Sequence, residues 1–133
     1  MQVTRGVAER DFAWPQGLKP NIFMFTQVKH AEENDAGRDG VRLASAPDIR
    51  WARRDIKSVN LLGQVLAKQA AHDAGADEAL MIDADGFVTE CGSTSFFIVR
   101  DKQILTRALS SDILPGVTRR AIIGLCESKG FEL

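Results

Sequence analysis

A lysine in a basic segment is the first residue whose surroundings could support chemistry. Lys57 lies within residues 53–60, between a strand-like stretch and the start of a predicted helix. The positive potential of the helix end and the neighbouring Arg53 and Arg54 disfavour protonation of its amine. An unprotonated lysine is the nucleophile that forms a Schiff base with a carbonyl compound. The alternative interpretation is a surface lysine that ends a turn, because most lysines are exposed.

A carboxylate at the end of a predicted strand is the second candidate. Glu90 closes residues 87–90 and precedes a loop of small residues that contains Ser93 and Thr94. A carboxylate in this position can hold a protonated pyridine nitrogen, and the hydroxyls can flank it as hydrogen-bond donors. A pyridine ring that stays protonated withdraws electrons, which is the chemistry of an electron-sink cofactor. A turn residue in a Ser/Thr-rich loop is the alternative.

The start of a predicted helix within residues 114–119 is the third candidate. Gly116 allows a ligand to approach the backbone closely. The free N–H groups of Val117 and Thr118, together with the Thr118 hydroxyl and the helix dipole, form a potential anion site. The alternative is a helix end that binds only water.

Three further side chains have no role in chemistry that the sequence decides. Arg50 could reach a cofactor phenolate or a substrate carboxylate, or it could be an ordinary arginine at a strand edge. An extended chain would place Arg50 and Trp51 on opposite faces of a strand. His30 and His72 have no partners at catalytic or metal-ligand spacing, and His72 is predicted to lie on the surface of a helix.

Apolar periodicity predicts the elements that position these residues. Ser58 or Asn60 can cap the first of two predicted helices, while Gly75 and Gly130 can end them. Residues 32–40 are predicted to form a surface loop. The predicted strands are residues 1–7, 21–28 (a buried strand), 41–45, 78–82, 87–90, 95–100 and 103–106, with another that begins at 131–133, and the predicted helices are residues 60–74 and 117–129.

The bulk composition excludes several classes of protein. The 133 residues, 44% of them hydrophobic, fit one compact domain with its own core. A net charge of −1 gives no basic excess for nucleic acid, and the apolar runs are too short to span a bilayer. Cys91 and Cys126 lack metal-type spacing and favour a reducing compartment, so we expect a cytoplasmic protein without a metal site.

The order of the three candidate segments resembles one known superfamily. Residues 50–62 closely resemble the cofactor-lysine segment of the fold-type IV enzymes that depend on pyridoxal 5′-phosphate (PLP), and Glu90 follows Lys57 by 33 residues. Residues 114–119 begin a further 24 residues on. This superfamily includes D-amino acid aminotransferases, branched-chain aminotransferases and aminodeoxychorismate lyases. Residues 2–8 and 62–69 and the Trp14-Pro15 pair favour the D-amino acid aminotransferase family.

The resemblance implies a fold and a role for each site residue. The fold would be the mixed α/β (α+β) C-terminal PLP-binding domain of this family, a β-pseudobarrel flanked by helices. Lys57 would form the Schiff base and then carry the proton, while Glu90 would hold the ring nitrogen. Val117 and Thr118 would hold the phosphate, and Leu114 would pack near the ring. The implied site residues are Lys57, Glu90, Arg50, Ser93, Thr94, Leu114, Gly116, Val117 and Thr118.

The implied reaction is transamination between a D-amino acid, such as D-alanine, and a 2-oxo acid. Family enzymes are homodimers, and they carry an N-terminal domain that residues 1–133 lack, so a single truncated domain is expected. The alternatives are a branched-chain aminotransferase or an aminodeoxychorismate lyase on the same scaffold, or a catalytically inactive fragment.

Overall fold

The computed structural model describes residues 1–28 and 35–132, which form two compact units. The units are Met1–Arg38 and Asp39–Leu133. The prediction of one domain over residues 1–133 therefore stays a prediction. His30 lies outside the described residues, as does the first part of the expected loop at residues 32–40. The second part of that loop was predicted wrongly, because α1 (Asp35–Asp39) is a short helix.

The first unit contains a two-stranded antiparallel ribbon. Strand β1 (Gln2–Thr4) pairs with β2 (Asn21–Phe23), with Gln2 opposite Phe23. The prediction of a buried strand over residues 21–28 was wrong in length and in burial, because β2 ends at Phe23 and its three residues are exposed. A single ribbon has two open faces, and within the described part of this unit no second layer of strands or helices covers either one.

The second unit is built on a three-stranded sheet with one helix packed against it. Strands β3 (Leu43–Pro47) and β4 (Glu78–Ile82) are parallel, and β5 (Val88–Cys91) is antiparallel to β4. Helix α2 (Leu62–Asp73) forms the crossover that a parallel pair requires. Its residues Ala67 and Ala71 are buried against a core that includes Met81. These small side chains let the helix approach the sheet closely.

A hairpin and a second long helix complete this unit. Strands β6 (Ile98–Arg100) and β7 (Gln103–Leu105) pair through Asp101 and Lys102, which both have positive φ (51° and 70°). Positive φ at both central residues is the geometry of a type I′ turn. Helix α3 (Val117–Ser128) follows, and its predicted end is confirmed by Gly130 at a φ of 71°. The main chain of Glu132 accepts a hydrogen bond from Ile104 (2.9 Å), although residues 131–132 form no strand.

Several predicted details need correction, although the mixed α/β class is confirmed. The strands of residues 1–28 and 35–132 form three separate sheets and do not close the expected β-pseudobarrel, because β5 and β6 share no ladder. Neither Ser58 nor Asn60 caps α2, whose N-cap is Leu61 without a side-chain hydrogen bond. Gly75 ends α2 at a φ of 74°, as predicted. No helix in the described part of the chain is long and apolar enough to cross a membrane.

Candidate active site

One cavity of about 810 Å³ in the second unit collects the candidate residues. A volume of this size is typical of small-molecule and cofactor sites. Its walls come from the loop between β3 and α2, helix α2 itself, the end of β5 with the loop after it, and the start of α3. All nine site residues implied by the sequence lie around it, namely Arg50, Lys57, Glu90, Ser93, Thr94, Leu114, Gly116, Val117 and Thr118.

Lys57 lies in an irregular loop. The strand expected to reach Arg50 and Trp51 ends at Pro47, because Asp48 and Arg50 turn the chain into this loop through their own hydrogen bonds. The amide of Ser58 donates to the carbonyl of Ile56 (2.9 Å), so Lys57 is the central residue of an inverse γ-turn. This turn holds the main chain at Lys57, and its exposed side chain lines the cavity.

Glu90 is a buried carboxylate at the end of β5, with a side chain that is only 9% exposed. Its Oε1 accepts a hydrogen bond from Arg50 Nη1. The Leu114 amide donates to both carboxylate oxygens at long distances of 3.3 and 3.4 Å. Among the described residues this long bond is the only one to Oε2. A carboxylate offers about four acceptor positions, so Oε2 keeps capacity for a donor in the cavity.

Asp48 completes this ionic cluster, and the sequence reasoning missed it. Its side chain is fully buried. It accepts hydrogen bonds from Arg50 Nε (2.9 Å), Arg50 Nη2 (2.7 Å) and Thr89 Oγ1 (2.7 Å). Burial alone would raise the pKa of Asp48, but the hydrogen bonds from Arg50 and Thr89 outweigh it and lower the pKa to about 2. The available signal was a carboxylate just after a predicted strand and two residues before an arginine.

The low pKa of Asp48 makes part of the stability dependent on pH. Its pKa falls from an ordinary 3.8 to about 2, so its contribution to stability is complete above pH 4 and is lost as the pH falls towards 2. The loss amounts to about 2 kcal/mol. Denaturant titrations of the wild type and Asp48→Asn should therefore show free energies of unfolding that converge by this amount between pH 4 and 2. Parallel curves would contradict the prediction, because the difference between the two proteins would then contain no contribution from the low pKa of Asp48.

The first turn of α3 lines the cavity with free backbone groups. Gly116 is its N-cap, with φ −62° and ψ 139°. No side chain of the described residues caps this helix, and its first turn contains no acidic residue. The first N–H groups of a helix have no partners within it, so those of Val117 and Thr118 remain available for an anion.

The loop after β5 is fixed by a cluster of Ser93, Lys68 and Glu78. Ser93 Oγ donates to Glu78 Oε2 (3.0 Å), and Lys68 Nζ donates to the same carboxylate oxygen (3.1 Å). The Ser93 hydroxyl proton is therefore used within the protein, and Ser93 supports the loop in this structure. Burial raises the pKa of the neighbouring Cys91 thiol, which disfavours the reactive thiolate.

Three buried polar atoms in residues 1–28 and 35–132 lack a hydrogen-bond partner, and all belong to residues that line this cavity. They are Arg54 Nε, Gln64 Oε1 and Arg119 Nε. Arg54 Nε lies 3.2 Å from Asp48 Oδ2, close enough for an ion pair but without hydrogen-bond alignment. Unsatisfied polar atoms are costly in a protein interior, so their concentration here is typical of a site that holds a polar ligand.

Gly63 allows α2 to approach the Arg50 backbone. A Cβ at this position would lie 2.9 Å from Arg50 Cγ and 3.3 Å from Arg50 Cα. Gly63→Ala should therefore lower the free energy of unfolding by about 1–3 kcal/mol, the usual cost of overpacking. Gly124 in α3 is the matched control, since a Cβ there meets nothing within 4 Å. Gly124→Ala should raise stability by about 0.5–1 kcal/mol, and equal effects in thermal or denaturant unfolding would contradict the prediction.

One known protein family matches the sequence from end to end. The family model described as amino-transferase class IV matches residues 1–133, the whole chain. The chain belongs to the class IV aminotransferases. This membership confirms the family resemblance drawn from Lys57, Glu90 and residues 114–119.

Two curated class IV relatives are similar over nearly all of this chain. The D-alanine aminotransferase of Bacillus licheniformis is 40% identical over 131 residues, which are 98% of this chain and 46% of the relative. The D-alanine aminotransferase of Staphylococcus haemolyticus is 38% identical over 130 residues, 97% of this chain and 45% of the relative. The chain therefore spans less than half the length of these relatives.

Solved class IV structures share the fold. The branched-chain amino acid aminotransferase from Thermobaculum terrenum, in its PLP form, has a TM-score of 0.65 and 30% identity, over 69% of this chain and 32% of that one. A putative 4-amino-4-deoxychorismate lyase from Legionella pneumophila has a TM-score of 0.71 and 28% identity, over 98% of this chain and 47% of that one.

Proposed function

We propose that this chain binds PLP, with Lys57 as the attachment residue, and takes part in transamination between a D-amino acid, such as D-alanine, and a 2-oxo acid. One observation carries the proposal. A single cavity brings together a lysine amine, a buried carboxylate with unused acceptor capacity, and a helix N-terminus without a side-chain cap among the described residues. These three groups complement the aldehyde, the ring nitrogen and the phosphate of PLP.

In this proposal, different lining residues bind different parts of the cofactor. Lys57 would hold the cofactor through its aldehyde and, once the substrate amine has displaced it, its free Nζ would move the proton of the substrate α-carbon. Glu90 accepts the ring N–H at Oε2, while Arg50 holds Oε1. The amides of Val117 and Thr118 hold the phosphate, and Gly116 keeps that approach free of a side chain. When bound, the cofactor supplies an electron-withdrawing ring that stabilises negative charge on the substrate α-carbon.

Other lining residues position these groups. Leu114 donates its amide to Glu90 and packs near the ring, so that the carboxylate and the ring share one wall. Ser93 and Thr94 hold the loop beside the ring. Arg119 belongs to the first turn of α3, and its Nε has no hydrogen-bond partner among the described residues. Its guanidinium adds positive charge at the helix start that is proposed to bind the phosphate.

The comparisons support the choice of reaction. Relatives named D-alanine aminotransferase match nearly the whole chain at 40% and 38% identity. Because the chain spans less than half of each, the activity, the substrates and the partners remain proposals for this chain. The homodimer that the resemblance implies and the cytoplasmic location that the cysteine usage favours belong to the same proposal. The net charge of −1 offers no attraction for nucleic acid.

A comparison of amino donors tests the reaction. PLP-loaded protein should convert D-alanine to pyruvate and the cofactor to its amine form in a single turnover. L-leucine should react at least about tenfold more slowly, because the α-proton of an L-amino acid bound in the same orientation faces away from Lys57. The measurement is the absorbance change of the cofactor together with product quantification. Faster reaction with L-leucine would favour a branched-chain aminotransferase. Bound cofactor that reacts with neither donor would contradict transamination and leave PLP binding standing.

A further inference from the structure

Asp48 lies outside the cavity wall yet contacts the residue that holds Glu90. It directly follows β3, and its side chain has no exposed surface. Its two oxygens accept from Nε and Nη2 of Arg50 at 2.9 and 2.7 Å. Thr89 Oγ1 donates to Oδ2 at 2.7 Å. A bidentate pair of this kind fixes both the position and the plane of a guanidinium.

Arg50 connects this buried carboxylate to the cavity. Two of its side-chain nitrogens face Asp48, and the third, Nη1, donates to Glu90 Oε1. Its side chain is only 6% exposed. With the guanidinium held by Asp48, Nη1 is fixed on Glu90 Oε1, and Oε2 keeps acceptor capacity for a ligand in the cavity that Glu90 lines.

The charges of these three residues also matter for a ligand. Arg50 carries one positive charge and contacts two carboxylates, of which Asp48 is the more deeply buried. Asp48 pairs with two nitrogens of Arg50, and Arg54, which also lies 3.2 Å from Asp48, has Asp112 as a second partner. Asp48 therefore offsets the charge of Arg50, and the negative charge of Glu90 remains available to a cationic group in the cavity. Without Asp48, Arg50 would pair with Glu90 alone and weaken the attraction of Glu90 for a cation.

We propose that Asp48 is a positioning residue for the ring nitrogen of the cofactor, because it orients and neutralises Arg50 and so preserves the geometry and the charge of Glu90. This inference rests on the proposed function. Asp48 acts through Arg50 and touches neither cofactor nor substrate. Its effect should therefore appear only with a ligand that carries a protonated ring nitrogen.

An analogue of PLP in which C–H replaces the ring nitrogen separates this role from a general structural one. Asp48→Asn should weaken the binding of PLP about tenfold while changing the binding of the carbon analogue less than about twofold. Both ligands carry the phosphate, but only PLP has a protonated ring nitrogen that the charge of Glu90 can attract. Absorbance titrations give both dissociation constants without any measurement of activity. An equal loss for both ligands, or no loss for either, would overturn the inference.

Two further variants keep the test decisive. Thr89→Val preserves every charge and removes one donor to Asp48, so a smaller loss confined to PLP is expected even if Asp48→Asn does not fold. Asp77→Asn removes a carboxylate whose charged partner among the described residues is Arg42, and neither residue lines the cavity. An Asp77→Asn loss as large and as selective as that of Asp48→Asn would assign the effect to net charge and overturn positioning. If the wild type binds neither ligand, the proposed function fails and this inference with it.

Discussion

Lys57→Ala is expected to abolish covalent retention of the cofactor. Wild-type protein treated with PLP and then borohydride should keep one pyridoxyl group, and peptide mass mapping should place it on Lys57. The alanine variant has no amine at the point where the first turn of α3 and Glu90 would hold the aldehyde, so its yield of adduct should fall to background. A Schiff base requires an amine within bonding distance of the aldehyde, and the other amine of the cavity, that of Lys68, is already held by Glu78.

Lys68 provides the matched control, because it is the other lysine among the described residues that line the cavity. Its Nζ is held by Glu78 Oε2 at 3.1 Å and by Ser93 Oγ at 3.3 Å. Lys68→Ala should therefore leave the adduct on Lys57 unchanged in yield. A pyridoxyl group that maps to Lys68 in the wild type, or that survives in Lys57→Ala at wild-type yield, would contradict the role of Lys57.

Val117→Pro is expected to weaken the binding of PLP by about tenfold or more. Proline suits the first position of a helix, and Gly116 already has the extended backbone that a residue before proline requires. The substitution thus removes one N–H group and leaves the helix intact. A hydrogen bond to a charged group contributes about 1.5–3 kcal/mol, which corresponds to at least about tenfold in affinity.

Pyridoxal, which lacks the phosphate, is the control ligand for this variant. Its affinity should be the same for the wild type and for Val117→Pro, because the missing N–H has no phosphate to hold. Circular dichroism should show the same helix content in both proteins. Equal weakening of PLP and pyridoxal would mean that the substitution distorts the cavity, and unchanged PLP binding would move the phosphate away from the start of α3.

Local chemistry explains which parts of the site were accessible from sequence. The motif around Gly116 defines the start of a helix through its local sequence alone. Glu90 lies on β5, and the turn that precedes this strand is defined locally by Gly86. Asp48 was not recognised, because Thr89 and Glu90, which complete its cluster with Arg50, come close to it only after β3 and β5 take their places in one sheet. The need for glycine at position 63 likewise depends on the path of the loop at Arg50.

The errors in the fold prediction have a similar origin. Residues 21–28 are aromatic and β-branched, so the sequence favours a buried strand there, but burial requires a second layer that pattern alone does not supply. The caps predicted for α2 were wrong because the helix begins later than expected, with Leu61 as its N-cap. Local propensity does not define this starting point, so Ser58 and Asn60 remain in the preceding loop. By contrast, β4 has the predicted bounds, since residues 78–82 are bordered by an unambiguous turn at residues 83–86.

The hydrogen bonds and the ion pair that join the loop after β3 to the segment before α3 have a consequence for the order of folding. Arg54 N donates to Ser111 O at 2.8 Å, and the Arg54 side chain pairs with Asp112 at 3.0 Å, although these partners lie 57 and 58 positions apart in the chain. Closing a loop of that length lowers the chain entropy before the new contacts can stabilise the structure. The β4–β5 hairpin closes a much shorter loop. We therefore expect the hairpin to form early on the folding pathway and the cavity walls to join late. The part of the molecule proposed to hold the cofactor is thus expected to assemble after that hairpin.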